Sequence, residues 1–327
     1  MIRFGIIGTN FITDNVIAGA KFDPRFCISA IYSRSEERAA QFAEKYGVEN
    51  RFTSLEQMAK SNLIDAVYIA SPNSCHYAQA MLFMQHGKHV LCEKAFASNA
   101  LQAKEMIEQS RKRGVALMEA MKPTLTPNFL KIKELCNDIG KITKYCSSYC
   151  QYSSRYDKYK AGIIENAFKY ELSNGATVDI GVYTIYPMVI LFGKPSQIKA
   201  IGETLTTGVD STANILFKYE QMDAVVSYSK ISDGSLPTQI MGEEGTITAK
   251  RINIIPEIEI AYRGDNSRNK TYSLNDINEY FYEIEEFINI IELGERESKI
   301  NSHTISLWVM EILDEIRTQL GVRTFDS

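Results

Sequence analysis

Residues 4–13 read Phe4-Gly5-Ile6-Ile7-Gly8-Thr9-Asn10-Phe11-Ile12-Thr13, a short apolar run that reaches a glycine and passes at once into a helical pattern. Glycine lets the backbone bend tightly between strand and helix. The helix start beyond it offers unpaired N–H groups and the positive end of a dipole, which together suit a pyrophosphate. Gly8, Thr9, Asn10, Phe11 and Ile12 are therefore candidate cofactor-binding residues. The glycine pattern of a dinucleotide turn is degraded, because Asn10 holds the second glycine position and Thr13 the third. Asparagine tolerates positive φ better than other residues with a side chain, so the turn is expected to survive at Asn10. A strand-to-helix turn that binds no nucleotide has the same local pattern.

Outward from this turn, apolar runs at 3–7, 27–32, 66–70, 89–92 and 116–119 alternate with helical patterns at 13–20, 36–46, 75–85 and 100–113. Such alternation requires crossover connections and predicts an α/β, doubly wound parallel sheet of the Rossmann type. Near Met121-Lys122-Pro123 the pattern changes. A helix fits 128–136, and aromatic, alternating strands follow at 142–152, 196–202, 213–219, 224–228, 238–241 and 258–262. Turn residues at Gly242-Glu243-Glu244-Gly245 and Gly264-Asp265-Asn266 separate some of them. Strands joined this way predict a mainly antiparallel, open-faced sheet. A helical interruption at 177–191 leads into it, and amphipathic helices near 277–293 and 302–320 close the chain. At 327 residues the chain exceeds what one core usually supports. The expected division is a Rossmann domain at 1–122 for NAD(P) and an α+β domain at 123–327 for substrate binding and oligomerisation.

Hydrophobic residues make up 45% and charged residues 23%, an ordinary balance for a chain that buries a core. The net charge of -4 gives no footprint for nucleic acid or an anionic membrane. No apolar stretch approaches the ~18 residues of a membrane span, and the first residues lack the pattern of a signal peptide. A soluble, cytoplasmic protein with no membrane or nucleic-acid partner is expected. The six cysteines and four histidines show neither a disulfide framework nor metal-ligand spacing. Cys146 and Cys150 would lie on one strand face roughly 13 Å apart, too far to share a metal ion without a bend.

Two charges stand where ligands collect in such a sheet, outside the carboxyl ends of its strands. The run His89-Val90-Leu91-Cys92-Glu93-Lys94 leads an apolar strand straight into Lys94. The second strand ends in Ile31-Tyr32-Ser33-Arg34-Ser35, with Arg34 where an NAD enzyme usually carries an acid for the ribose 2'-hydroxyl. Arg34, beside Ser33, can pair with a 2'-phosphate and stack on adenine, which favours NADP, with NAD as the alternative. A solvated loop charge is the plainer reading of Arg34.

Four segments together resemble the glucose-fructose oxidoreductase, inositol dehydrogenase and MocA (Gfo/Idh/MocA) family. They are the turn at 5–12, Ser71-Pro72-Asn73-Ser74-Cys75-His76, Gly87-Lys88-His89-Val90-Leu91-Cys92-Glu93-Lys94, and Asp179-Ile180-Gly181-Val182-Tyr183. The resemblance extends over essentially the whole chain. Met118-Glu119-Ala120-Met121 and the Asp-Ile-Gly-Val-Tyr run are shared with the branch that contains dimeric dihydrodiol dehydrogenase and pyranose-type sugar dehydrogenases. The resemblance implies that Lys94 points at the carbon that exchanges hydride, that Tyr183 is the acid/base, and that Asp179 projects from the same helix face. It also places Ser71, Pro72, Asn73, Glu93 and Lys94 against the cofactor. Ala95 stands where the family has proline after the glutamate-lysine pair. His76 reads as a helix-capping residue, outside the site.

Alcohol oxidation needs a base for the hydroxyl proton, and a phenol with pKa about 10 is a poor one near neutrality. A cation about 4 Å away, at an effective dielectric of about 20, contributes roughly 4 kcal/mol, or about three pKa units. Lys94 would thereby bring Tyr183 into the working range. Taken without the family, Tyr183 reads equally as core packing, and Asp179 as a structural acceptor. The expected function is NADP-dependent hydride transfer on a secondary alcohol or ketone of a sugar or other polyhydroxylated ring. The alternative is a non-catalytic NADP-binding sensor on the same fold. Residues near Arg155, Tyr156, Asn166 and Phe168 are expected in a loop over the cleft. The second domain's sheet, with aromatic strands such as 145–152, invites association, so a homodimer or homotetramer is expected.

Overall fold

The computed structural model describes residues 1–323. Its first elements are β1 (Ile2–Ile7), α1 (Phe11–Ala20), β2 (Phe26–Tyr32), α2 (Glu36–Tyr46), β3 (Asn50–Phe52), α3 (Leu55–Lys60), β4 (Ala66–Ile69), α4 (Asn73–Gln85), β5 (His89–Glu93), α5 (Ala100–Arg113) and β6 (Leu117–Ala120). Then come α6 (Pro127–Leu135), β7 (Ile142–Cys150), α7 (Tyr156–Lys160), α8 (Val182–Phe192), β8 (Gln197–Thr204), β9 (Asp210–Lys218) and β10 (Asp223–Ser229). The chain continues through β11 (Thr238–Gly242), β12 (Gly245–Ala249), β13 (Ile258–Tyr262) and β14 (Lys270–Tyr272) to α9 (Phe281–Glu292) and α10 (His303–Gln319). Two compact units result: Met1–Lys122 with Ile277–Leu307, and Pro123–Asp276 with 308–323.

In the first unit six parallel strands run in the order β3-β2-β1-β4-β5-β6. The inner strands are apolar on both faces, as Phe4, Ile6, Val67, Tyr68, Val90 and Leu91 are all fully buried, because crossover helices cover both sides of a parallel sheet. The strand order reverses between β1 and β4, which makes the carboxyl ends of those strands the switch point where ligands bind. Register aligns these ends, with Ile7 opposite both Tyr32 and Ile69, and Ile69 opposite Cys92.

The break after Lys122 falls at the expected position, but the segment Ile277–Leu307, expected with the second half, packs with the first unit. The ring of Phe287 on α9 lies 6.1 Å from that of Phe4, and the amide of Leu117 donates to the carbonyl of Arg296 at 3.0 Å. The edge pair β3 and α3 was also not expected. At three and six residues they are too short to show a period.

The second unit is an eight-stranded sheet in the order β14-β13-β12-β11-β7-β10-β9-β8, antiparallel except where β7 meets β10. Side chains alternate along β9: Ala213, Ile215 and Phe217 are buried, and Asn214, Leu216 and Lys218 are exposed. That alternation corrects the expected aromatic open face. Tyr145, Phe217 and Tyr228 all point to the covered side, and the large apolar residues on the open side are aliphatic, Ile201 at 79% and Leu216 at 58% exposure.

The membrane expectation also needs correcting. Tyr170–Phe192 is long and apolar enough to cross a bilayer, its most apolar 18-residue window having a mean hydropathy of 1.5. Of that window 72% is buried, the mark of a core helix that covers a sheet.

Candidate active site

In the first unit, the candidate residues from β1, β2, β4 and β5 gather along the carboxyl edge of one parallel sheet. Gly8 has φ +105°, and a Cβ there would stand 2.5 Å from the carbonyl oxygen of Ala70 at the end of β4. Only glycine keeps this turn. Asn10 does not occupy the left-handed region expected for it. Its φ of -113° is extended, and it works as the N-cap of α1. Its Oδ1 accepts from the amides of Ile12 (2.9 Å) and Thr13 (3.2 Å), and its Nδ2 donates to the Ala70 carbonyl at 2.8 Å. Thr13, at the third glycine position, donates its hydroxyl to the Gly8 carbonyl at 2.9 Å. The two residues that replace glycine therefore tie the turn down through their side chains. Phe11 is 62% exposed, and Thr9 and Ile12 are half-buried at the same helix start.

Ser33 is half-buried after β2 and Arg34 is exposed. The Ser33 amide donates to the Phe52 carbonyl at 3.2 Å, which fixes the loop that presents Arg34. Ser71 donates its hydroxyl to Gln79 at 2.8 Å, Pro72 precedes α4, and Asn73 opens that helix as a buried residue. A cradle that excludes any side chain at Gly8, a helix N-terminus beyond it and an exposed guanidinium after β2 fit a dinucleotide with a 2'-phosphate.

Lys94 is half-buried just past β5, between apolar Leu91-Cys92 and buried Ala95-Phe96. Glu93 accepts from the Tyr68 hydroxyl at 2.7 Å and from the amide of Lys94 at 3.3 Å. Burial raises the pKa of Glu93, against the pull of Tyr68 and Lys94. Two further residues hold this loop. His76, read from sequence as a capping residue, is fully buried and spans 2.8 Å from Nδ1 to the Ala95 carbonyl and 2.9 Å from Nε2 to the Ser71 carbonyl. It bridges the loops after β4 and β5, and burial lowers its pKa. Glu119 on β6 accepts from the amide of Phe96 at 3.1 Å, and burial pushes its carboxyl up to about 8.

Asp179 and Tyr183 belong to the second unit. Thr177–Gly181 forms a turn of π-helix ahead of α8, an irregularity frequent at functional sites. A buried network anchors it. Thr177 donates its amide and its hydroxyl to Asp210, each at 2.6 Å, and the Thr177 and Tyr228 hydroxyls are 2.6 Å apart. Gly181 lets the turn press on Tyr228, because a Cβ there would lie 2.8 Å from its ring. Between Gly175 and Val189, Asp179 and Tyr183 are the two residues that are not buried, and they stand four apart on the outer side of an otherwise buried helix. Tyr183 meets Tyr149 edge to face at 5.8 Å, and Asp179 is ion-paired to Lys230, just past β10. The loop with Arg155, Tyr156 and Phe168 packs its own aromatic rings, Tyr156 and Phe168 being 6.0 Å apart.

Lys230 and Glu119 escaped the sequence reading as site residues. Lys230 carried a signal related to the one that exposed Lys94: a strand that runs into a lysine. Among the described residues no group of His, Cys, Asp and Glu is arranged to hold a metal ion.

Comparison with known proteins matches this architecture. Residues 2–121 fit the model of the oxidoreductase family with an NAD-binding Rossmann fold, and residues 129–248 fit the GFO/IDH/MocA C-terminal domain. The chain is 47% identical over 323 residues to the scyllo-inositol 2-dehydrogenase (NADP(+)) IolU of Bacillus subtilis (strain 168), covering 98% of each. It is 30% identical over 336 residues to trans-1,2-dihydrobenzene-1,2-diol dehydrogenase of Danio rerio, covering 98% of this chain and 97% of that one. A 3-ketoreductase from Actinomadura kijaniata, solved in complex with NADP and TDP-benzene, shares the fold with a TM-score of 0.84 at 22% identity, covering 99% of this chain and 98% of the other. With matched models on both halves and a near full-length relative at 47% identity, the chain belongs to the Gfo/Idh/MocA family of oxidoreductases.

Proposed function

We propose that this chain is an NADP-dependent dehydrogenase that interconverts a ring secondary alcohol and its ketone, with a polyol such as scyllo-inositol as substrate. The observation that carries the reading is the exposure of Asp179 and Tyr183 from a helix whose other residues between 175 and 189 are buried. Core packing alone would not leave a tyrosine and an aspartate open on a helix otherwise sealed against a sheet. The name of the Bacillus relative supports the substrate class, and the exposed Arg34 supports the 2'-phosphate.

When bound, NADP supplies the hydride acceptor. Gly8 to Ile12 hold the pyrophosphate, Ser33 and Arg34 the 2'-phosphate, and Ser71, Pro72, Asn73 and Glu93 the remainder along the strand ends. Tyr183 Oη takes the proton of the substrate hydroxyl as the carbonyl forms, and returns it in the reverse direction. The Lys94 ammonium favours the phenolate that this step requires, and Asp179 orients the substrate. The unit of residues 1–122, completed by 277–307, acts as the cofactor-binding part and the unit built on 123–276 as the substrate-binding part, in the cytoplasm. A pure sensor would not need Lys94, Asp179 and Tyr183 together.

The test is the rate of reduced nicotinamide formation from scyllo-inositol, NADPH from NADP+ and NADH from NAD+ in turn. NADP+ should be favoured by at least about tenfold in kcat/KM, since a lost charge-assisted contact costs roughly 1.5–3 kcal/mol, and Arg34→Ala should remove most of the preference. No turnover of any inositol or pyranose with either dinucleotide would retire the reading.

The open face of the second unit's sheet, with Ile201 and Leu216 uncovered, is proposed to join two copies of the chain as a homodimer or within a homotetramer. Sedimentation at micromolar concentration should show a multiple of 37.0 kDa, and a single 37.0 kDa species would exclude it.

A further inference from the structure

Lys230 is an unusual residue to find sealed inside a sheet domain. Its side chain is 4% exposed, its amide donates to the Ser211 carbonyl at 2.8 Å, and its carbonyl accepts from the amide of Ser153 at 2.8 Å. These backbone bonds fix the end of β10 and stitch to it the loop that carries the aromatic rings. The ammonium pairs with Asp179, whose side chain is 36% exposed, and lies 5.3 Å from the centroid of the Phe168 ring. An ammonium can donate three hydrogen bonds, and among the described residues this one makes a single bond, to Asp179. A buried ion pair is a weak source of stability, since an apolar pair of similar volume often does as well. The pair is therefore better explained by what it presents at its open end than by what it holds together.

That open end has two adjoining components: Asp179 offers carboxylate acceptors and Lys230 offers N–H donors, while the fully buried Phe168 ring backs the ammonium from within. Tyr183, half-buried, follows Asp179 by four residues on the same side of the helix. A vicinal diol matches the set, because each hydroxyl both donates and accepts.

We propose that Lys230 contacts the substrate and that, with Asp179, it reads the hydroxyl next to the carbinol carbon. The inference rests on the dehydrogenase reading above and adds to it the feature of the substrate that is selected. A site built to bond a hydroxyl rejects the analogue that lacks it far more strongly than an apolar pocket would, because its buried polar groups are then left unpaired.

Calorimetric titration of the enzyme–NADPH complex with scyllo-inositol, and with the analogue in which one hydroxyl beside the reacting position is replaced by hydrogen, tests this without turnover. The parent should bind the analogue at least about 100-fold more weakly. Lys230→Met should weaken scyllo-inositol binding by at least about tenfold, leave NADPH affinity unchanged, and bring the two ligands within a few-fold of each other. Lys230→Arg, which keeps the charge, should recover part of the discrimination. If the parent binds scyllo-inositol and its analogue equally, the proposal fails whether or not Lys230→Met folds. Equal discrimination by parent and Lys230→Met also overturns it. A parent that binds neither these nor any other polyol overturns the dehydrogenase reading itself, and the Lys230 proposal with it.

Discussion

Tyr183→Phe should lower kcat for the polyol substrate by about 10²–10⁴-fold, the range that a positioned acid/base supplies, with NADPH affinity unchanged. The substitution removes one oxygen and keeps the ring that packs edge to face on Tyr149, so stability should move little. Lys94→Ala should cause a loss of similar size. It deletes the cation proposed to favour the phenolate and leaves Gly8, Asn10 and Arg34 in place for the cofactor. In the proposed mechanism the two residues serve one proton transfer, so the double variant should be little worse than the poorer single one. Stopped-flow absorbance of NADPH, with affinity read separately by fluorescence, separates chemistry from binding. Unchanged turnover in either single variant would refute the assignment of that residue.

Glu119→Gln should change the pH dependence of folding strongly. The Glu119 carboxyl is 1% exposed, and burial pushes its pKa from 4.5 up to about 8. Between those values the folded chain holds a proton that the unfolded chain has released. Stability from this group is therefore complete below about pH 4.5 and is lost as pH rises toward 8, by up to ~1.4 kcal/mol per pH unit. Glutamine keeps an acceptor for the Phe96 amide and cannot ionise. Urea unfolding at pH 5, 6.5 and 8 should show the parent losing stability relative to Glu119→Gln as pH rises, by several kcal/mol in all. Parallel curves would mean that Glu119 is ionised in the folded protein. Glu283, whose two carboxylate oxygens find no hydrogen-bond partner among the described residues, is also raised by burial and contributes in the same direction.

Much of the architecture was legible because the inner strands of a parallel sheet must be apolar on both faces. Runs such as Ala66–Ile69 and Val90-Leu91-Cys92 therefore stand out from the helical patterns around them. The tight turn at Gly8 is legible in the sequence, but what holds it is not. Asn10 reads as a residue that tolerates positive φ, whereas it holds the turn by hydrogen bonds to residues 12, 13 and 70, the last of them sixty positions away. His76 shows the same limit. Its two partners, Ala95 and Ser71, meet it only because β4 and β5 are neighbours. Lys230 was missed because Asp179 lies 51 residues from it in the chain. The return of α9 to the first unit had no local signature at all. An amphipathic helix shows which face it buries, not the surface it buries that face against.

That return has a consequence for how the protein is made. The N-terminal strands leave the ribosome first, yet Phe4 at the centre of their sheet is covered by Phe287, which emerges much later. At ~5–20 residues per second the interval is on the order of ten seconds or more. Through that time the earlier-made strands carry an unfinished apolar surface, and it cannot close until α9 has been made. Translation that stops before α9 should therefore leave a product whose first sheet lacks part of its cover. The chain thus couples completion of its first-made unit to the synthesis of its second.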